Sequence, residues 1–477
     1  MNLHIIDELP TRIPHYQSLL DACRAERVDA WLVGGCVRDL LLDRDPADID
    51  VTTAEPEALA RQLAGLLGAH VVPMDRERGI WRVAYAADRY FDLCRFRAAD
   101  ILDDLRGRDF TFNAIAIRLP APGEAATFFD PLHGLADLRA MHLRQAAPEA
   151  FHDDPARVLR AFRFLAEFPL EIEPATWAAL GREAGRLPRV APERLLAEWW
   201  KLCAGPFALP AIARMEAAGV LPLLFPELKP AKGLTQNAYH HLDVWEHMLL
   251  AAQNMAGLLA RRAELPEDLQ PDFAAMLDDP HRRARLLFLA LIHDIGKPPT
   301  RSEEEGRIHF YGHDRAGAEL AEGLCRRLRM SREDTRVITT SIRLHLRPLQ
   351  LLQAQRRGKV SDKDKLSFLV DAGDSLPEIL ALGLADKAAG LGPAADPDVL
   401  AQLHTLYRDL LAFYHTRYQP AQTAPLLTGA DLIAHLHLQP GPHLGHLLHR
   451  ARELQILGKL TSREEALQWA ERNSSEC

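Results

Sequence analysis

The sequence contains no apolar run near the roughly 18 residues needed to span a membrane. Its N-terminus, MNLHIIDELPTR, lacks the basic stretch followed by an apolar one that marks a secretory signal. Both absences point to a cytoplasmic protein with no membrane partner. The six Cys (23, 36, 94, 203, 325 and 477) are scattered, with no C-x-x-C pair, which argues against a zinc finger and against a disulfide framework. An excess of base is missing too: the formal net charge is −9, so bulk composition does not mark a nucleic-acid binder. Lysine is scarce. Of the 57 basic residues nine are Lys and 48 are Arg, the residue that grips phosphate through two parallel donors; a GC-rich genome would enrich Arg in the same way. A length of 477 residues leads us to expect roughly two to four domains.

What is present changes character along the chain. The first 145 residues mix strand and helix signals. WLVGG reads as a buried strand stopping at glycine, VRDLLLDR as a helix beginning near Val37, and DIDVTT as a strand rich in β-branched residues. Thr53 is expected to cap the helix EPEALARQLAGLLG, with Leu59, Leu63 and Leu66 on one face. HVVPM, WRVAYAA, YFDLCRF and FTFNAIAIRL read as further strands, the last with a short helix as the alternative. From about residue 150 amphipathic helices take over, with PEDLQPDF as a polar loop and LGPAADPDV as a linker. The expected architecture is an α/β head over 1–145, a helical segment over 146–235, a second helical domain over 236–394 and a helical tail over 395–477.

The stretch VGGCVRDLLLDRDPADIDV carries the first chemical signal. Alternate strand residues share a face, so Asp48 and Asp50 project together about 6–7 Å apart. Two such carboxylates suit hard divalent cations such as Mg²⁺, and two ions can activate an attacking hydroxyl and stabilise the leaving oxygen of a phosphoryl displacement. Gly34 and Gly35 let the backbone approach a ligand, the following helix aims amides at a triphosphate, and Arg38 adds charge. D-x-D by itself is common and can be two solvated strand residues; the order Gly-Gly, helix, D-x-D is more specific. Asp92 in FDLCRFR offers a third carboxylate, or an ordinary strand Asp.

GGCVRDLLLDRDPADIDVTT resembles the signature of the class II tRNA nucleotidyltransferases, the bacterial CCA-adding enzymes and their poly(A) polymerase relatives, within the polymerase-beta-like superfamily. RGRDFTFNAIA, with Arg108, Asp109 and Asn113, resembles the R-R-D-F-T-x-N-A motif of that family. FFDPLHGLADL, HDDPARVLRAFRF and PERLLAEWWKL resemble the motifs that follow it. The resemblance covers about residues 30–225. It implies a polymerase-beta-like head, addition of C and A to the tRNA 3′ end from CTP and ATP, and Asp92 as the third carboxylate.

Asp154 and Arg157, three apart at a helix start, can face one ligand. Asp offers acceptors and Arg donors, a pattern that pairs with the Watson–Crick edges of cytosine and adenine and leaves uracil or guanine facing unmatched polar groups. The resemblance gives the two positions this base-reading role; a surface ion pair beside an N-cap is the plain alternative. Arg160 and Arg163 continue that face, toward triphosphate or tRNA backbone or toward solvent. The family's Glu before this Asp is Asp153 here. Only Ala98 to Gly107 separate Arg97 from Arg108, where many CCA-adding members carry a longer flexible segment. The short segment resembles enzymes that add only CC. Full CCA addition is the leading expectation, followed by CC-only addition and then poly(A) synthesis.

A second set of residues lies farther on: His247, His293-Asp294, His313, His345 and Asp386. His and Asp suit transition metals. LIHDIGKP resembles the HD phosphohydrolase domain, and the pairing with a transferase core resembles the multifunctional bacterial CCA proteins. The resemblance implies His247, His293, Asp294 and Asp386 as ligands of a second metal such as Ni, Mn, Co or Fe, with phosphatase or phosphodiesterase activity; His240 and His241 compete with His247 as the first ligand. A degenerate transferase core attached to an HD hydrolase is the remaining alternative. In the tail, Gly441 and Gly445 either admit tRNA phosphate or break a plain helical turn.

Overall fold

A computed structural model describes residues 5–474 except 47, 99, 122, 237–241, 261–268, 391–395 and 397. His240, His241, part of the PEDLQPDF loop and most of the LGPAADPDV linker lie outside the described residues. The chain divides into two compact units, 1–224 and 225–477. The expected head and residues 146–224 of the first helical segment share the first unit; the last residues of that segment fall in the second unit, with the second helical domain and the tail.

The first unit is built on a seven-stranded sheet: β1 (Ala30–Val33), β2 (Asp48–Thr53), β3 (His70–Asp75), β4 (Ile80–Ala86), β5 (Arg89–Arg95), β6 (Ala116–Arg118) and β7 (Thr127–Phe129). The spatial order is β3-β4-β5-β2-β1-β6-β7, and β2 and β5 run parallel while the other neighbours are antiparallel. Alternation sorts the faces. Ile49, Val51, Val83, Phe91 and Leu93 are fully buried, and the helix Pro56–Leu67 packs on β4 and β5 with Leu59 and Leu63 buried. Residues of opposite parity, including Asp48, Asp50, Arg82 and Asp92, belong to the other face.

Three local expectations are corrected. Thr53 does not cap the helix after it: it completes β2 and donates to the Asp29 carbonyl at 2.8 Å, while Glu55 is the N-cap. The strand's ladder and a good acceptor outcompete the cap. Leu66 is 49% exposed, off the buried stripe. The helix after the glycine pair runs Gly35–Leu41 and so begins before Val37. FTFNAIAIRL divides into a single 3₁₀ turn, Thr111–Asn113, and β6, so both readings of it apply.

Helices Ala156–Glu167, Pro192–Ala204 and Ala208–Ala217 pack together after the sheet. Phe110 and Phe112 meet Phe164 edge-on, with ring centroids at 5.5 and 5.1 Å, so the aromatic core continues from the head into the helices. Among the described residues the second unit is helical apart from a small hairpin, Ser302–Glu304 with Arg307–His309. Its tail closes around Leu432, Leu447, Ala451, Ala466 and Ala470. Gly441 caps the helix Pro442–Ile456, and Gly445 lies inside it. Among the described residues no helix is long and apolar enough to cross a membrane.

Candidate functional site

The strand register builds the first site. Asp50 pairs with Asp92 across the parallel β2–β5 ladder, and Arg82 of β4 pairs with Asp92 from the other side. Asp48, two residues before Asp50, faces the same way, opposite Tyr90. Three carboxylates thus share one face. Burial pushes the Asp50 carboxyl up to about 6; Arg108 opposes this, and Asp92 and Asp48 add to it. Arg82 answers the charge of Asp92 with two N–H···O bonds of 2.8 Å and lies over the Tyr90 ring at 3.4 Å. Its hydrogen bonds to the Asp92 carboxylate raise the Arg82 guanidinium above its usual range.

The glycine turn meets this row. Gly34 has φ +73°, and a Cβ there would fall 2.7 Å from Arg108 Nη1 and 3.5 Å from Asp50 Oδ2. A Cβ at Gly35 would meet Arg38 Nη2 at 3.8 Å and Asp50 Oδ2 at 4.0 Å, an ordinary contact. Position 34 therefore needs glycine for its left-handed backbone and for room beside Arg108. Arg108 is itself held by Asp104 at 3.0 and 3.2 Å, and the other oxygen of Asp104 accepts the Arg97 backbone N–H at 2.8 Å. These bonds anchor both ends of the short segment after Arg97, which folds into the helix Ile101–Arg106.

Arg38 does not point its donors at open space. It is buried, with Nε and Nη2 on Asp39 at 2.9 and 2.7 Å and Nη1 on Asn113 at 3.0 Å. Asn113 donates to Asp109 at 3.0 Å, and Asp109 accepts from Arg160 at 3.2 Å. Burial pushes Asp109 up, but Arg160 and Asn113 bring it below its ordinary value. Glu198 then joins Arg160, at 3.2 Å, to Arg163, at 3.0 Å. One polar network runs from the glycine turn to the helix Pro192–Ala204.

Asp154 and Arg157 stand close, Nε to Oδ2 at 3.9 Å, but each has other partners. Asp154 takes Arg194 at 2.8 Å and the Ala156 N–H at 3.2 Å. Burial opposes the charge on Asp154, yet Arg194 carries its pKa below the usual carboxylate value. Arg157 donates to the carbonyls of Gly107, Arg108 and Ala150 at 2.6, 3.0 and 3.2 Å. Arg160 and Arg163 are ion-paired here, not presented as a free basic stripe.

The second unit gathers a denser cluster. His247, His293, Asp294 and Asp386 bring their ligand atoms within 4.8 Å of one another, and Asp294, His313 and His345 do the same. Asp294 belongs to both groups: Oδ2 lies 3.2 Å from His293 Nε2 and 3.4 Å from His247 Nε2, while Oδ1 lies 3.4 Å from His313 and 3.8 Å from His345. His293, His313 and His345 each direct Nδ1 to the carbonyl three residues back. That bond fixes Nδ1 as the donor and leaves the Nε2 lone pair for the cluster. His293 Nε2 and both Asp294 oxygens are buried without a well-formed hydrogen bond, a cost that a bound cation would remove. Burial lowers His345 to about 4, so it is neutral and able to ligate. Lys297 places Nζ 2.6 Å from Asp294 Oδ2. Gly296 lets the motif dock: a Cβ there would fall 2.0 Å from the His313 carbonyl.

The carboxylates and histidines singled out in the sequence lie together in these two groups, with His313 and His345 noticed there but not assigned as ligands. It missed Arg82, Asp104, Arg194, Glu198 and Lys297 as partners. Lys297, three residues after Asp294, had a helical-spacing signal; Arg82 and Arg194 act through pairings that sequence separation hides.

Three family models match the chain: the poly A polymerase head domain over residues 30–103, the probable RNA and SrmB-binding site of polymerase A over 169–232, and the HD domain over 244–379. The chain is similar to the A-adding tRNA nucleotidyltransferase of Deinococcus radiodurans, 37% identical with 94% of this chain and 96% of that one covered. It is also similar to the CC-adding tRNA nucleotidyltransferase of Thermus thermophilus, 33% identical with 92% of each covered. Among solved structures, a CCA-adding enzyme in complex with CTP aligns over 99% of both chains with a TM-score of 0.65 at 20% identity, a likeness of fold.

Proposed function

The chain belongs to the bacterial tRNA nucleotidyltransferase family, and from that premise we propose that it adds C and A to the tRNA 3′ end from CTP and ATP. The carrying observation is the cross-strand register that sets Asp48, Asp50 and Asp92 on one face above the Gly34–Gly35 turn. The RNA 3′-hydroxyl attacks the α-phosphorus of the nucleotide, and pyrophosphate leaves. Asp48 and Asp50 would hold Mg²⁺, with Asp92 assisting; when bound it supplies charge neutralisation for the attacking and leaving oxygens. The half-buried, mutually repelling carboxylates fit a divalent cation. Gly34 and Gly35 leave room for the triphosphate, and Arg108 offers it positive charge. Arg38, Asp109 and Asn113 hold the turn in place. Asp154 and Arg157 read the base edge, which requires them to exchange their present partners for it. The substrate tRNA pool makes the cytoplasm the expected location.

A second reading is addition of only part of the CCA end. It is favoured by the short segment after Arg97, folded as a helix and tied by Asp104 at both ends. Incubating the protein with tRNA ending at the discriminator base, at C or at CC, with CTP and ATP separately and together, and sizing the products tests both readings. Three added residues support the first, a stop after CC or addition of only the final A supports the second, and no addition to any tRNA defeats both.

We also propose that the histidine–aspartate cluster is a metal-dependent phosphohydrolase centre. The supporting observation is the pair of ligand groups joined by Asp294, with buried acceptors that lack a well-formed hydrogen bond. A transition metal such as Ni, Mn, Co or Fe fits the mixed imidazole–carboxylate set and would supply an activated water. Water adds to phosphorus, and the ester oxygen leaves with a proton. Release of phosphate from a phosphoester by wild-type protein but not by His293→Ala is the test.

A further inference from the structure

Three helices of the second unit, Pro280–Ile292, Arg332–Leu344 and Leu376–Ala389, pack on one another. Each brings cluster ligands at its C-terminal end. His293 and Asp294 follow the first helix, His345 follows the second, and Asp386 lies in the last turn of the third. Toward the opposite end each carries one buried charge: Arg285, Asp334 and Glu378, which are 2%, 5% and 1% exposed. Arg285 Nη1 donates to Asp334 Oδ1 at 2.9 Å, and Nη2 donates to Glu378 Oε1 at 3.1 Å. A single guanidinium thus ties the three helices together. The other partners lie nearer the surface. Arg282 donates twice to Glu378 Oε1, at 2.8 and 3.1 Å, and His281 Nε2 lies 2.9 Å from Asp334 Oδ1. Ser331 Oγ donates to Asp334 Oδ2 at 2.7 Å.

Stability alone accounts poorly for this set. Taking ions out of water is expensive, and a buried ion network often yields to uncharged side chains of similar volume with no loss of stability. This one also leaves Glu378 Oε2 and Arg285 Nε buried without a hydrogen bond among the described residues, a further cost. Directional bonds supply orientation, which apolar contacts do not. The guanidinium is a planar fork with fixed donor directions. Bonding carboxylates on two neighbouring helices therefore sets how far each helix is shifted along its axis and how it is turned. Arg285 precedes His293 by eight residues, Glu378 precedes Asp386 by eight, and Asp334 precedes His345 by eleven. These separations are about 12–17 Å of helix. Over so short a length a packed helix moves as a rigid element, so a shift at the Arg285 end reaches the ligands.

We infer that Arg285 is a positioning residue for the histidine–aspartate cluster. Through Asp334 and Glu378 it fixes the register of the helices that present His293, Asp294, His345 and Asp386. This role rests on the reading of the cluster as a metal centre. His247 and His313 come from helices outside the bonded set, so removing the set weakens metal binding without abolishing it.

The full-length protein is compared as wild type, as the neutral triple variant Arg285→Met/Asp334→Asn/Glu378→Gln, as Arg285→Lys and as Ile338→Val. The triple variant removes the three charges together, so none of them is left buried without its counterion. Lysine at 285 keeps the charge but has no fork to span both carboxylates. Ile338 is fully buried on the second helix, and its truncation lowers stability without touching the bonds. Mn²⁺ affinity is read by electron paramagnetic resonance of the free ion, at a temperature where circular dichroism shows each variant folded. Hydrogen exchange of the metal-free protein is read over the segments around His293, His345 and Asp386. The triple variant is expected to bind Mn²⁺ about tenfold more weakly, the lower end of the effect of losing a ligand-orienting partner, and to exchange faster at all three segments. Arg285→Lys is expected to fall between it and wild type, and Ile338→Val to keep wild-type affinity despite a lower melting temperature. Wild-type affinity in the triple variant, or in Arg285→Lys should the triple variant not fold, overturns the positioning role. An equal loss of affinity in Ile338→Val overturns it too, because general packing then explains the effect. No Mn²⁺ binding by wild type defeats the metal reading by itself. The exchange comparison then decides the positioning role: faster exchange at the three segments supports it, and unchanged exchange overturns it.

Discussion

Asp50 lies opposite Asp92 in the parallel β2–β5 ladder, so two carboxylates from strands distant in sequence occupy adjacent positions on one sheet face. Like charges so placed repel, and burial adds to the cost. The protein holds this unfavourable pair in place with buried hydrophobic residues on the reverse of the same strands, including Ile49, Val51, Phe91 and Leu93.

Replacing Asp50 by Asn is therefore expected to abolish nucleotide addition and to stabilise the metal-free protein. The carboxyl is raised to about 6 from 3.8, so folding binds its proton between those values. The favourable contribution of wild-type Asp50 is present below about pH 4 and is lost as pH rises through about 6. At pH 7.5 the variant should be more stable by about 1–2 kcal/mol, discounted for the partial exposure of the group. The gap should close between about pH 6 and pH 4. Urea denaturation across that range, in EDTA, checks it; a variant less stable than wild type at pH 7.5 contradicts it.

Arg82 is the positioning partner of Asp92 through two bonds of 2.8 Å. Arg82→Ala should lower kcat for nucleotide addition on the order of tenfold with little change in KM for CTP, because the side chain holds a carboxylate and not the nucleotide. Arg82→Lys should recover part of the loss, since it keeps the charge but not the two-pronged geometry. An equal rise in KM with kcat intact would place Arg82 on the nucleotide instead.

The parts of this arrangement visible in the sequence are those encoded locally. Alternation along DIDVTT put Asp48 and Asp50 on one face, and the adjacency of His293 and Asp294 marked the second cluster. Arg82 was not visible, because its role depends on the register of two strands. Arg157 and Asp154 were legible as neighbours three apart, while Arg194, 40 residues on, takes Asp154 by tertiary packing. Thr53 misled because its strand environment overrode a good capping tendency. The hairpin carrying His309 was missed because its two strands are each three residues long and polar.

Arg194 sets the orientation of Asp154 at 2.8 Å. Removing it as Arg194→Ala frees one carboxylate oxygen and loosens the base-reading geometry. Incorporation of UTP or GTP relative to CTP and ATP should rise about tenfold, the scale of one poorly matched polar group. Circular dichroism should show the helix Pro192–Ala204 intact, because Arg194 is exposed near its first turn. Unchanged discrimination with lower overall activity would mean that Arg194 serves only the fold.

The sharing of Asp294 between two ligand groups makes metal content a sensitive readout. Asp294 turns Oδ2 toward His247 and His293 and Oδ1 toward His313 and His345. If both groups fill, wild-type protein saturated with Mn²⁺ and desalted carries two tightly held ions in the second unit. Asp294→Ala should lose both, because each group loses a carboxylate and the surrounding imidazoles are left without their anionic partner. His345→Ala should lose one ion and retain the one held by His247, His293 and Asp386. Elemental analysis per chain distinguishes these cases, and a His345→Ala protein with the full wild-type complement would show that the second group holds no ion.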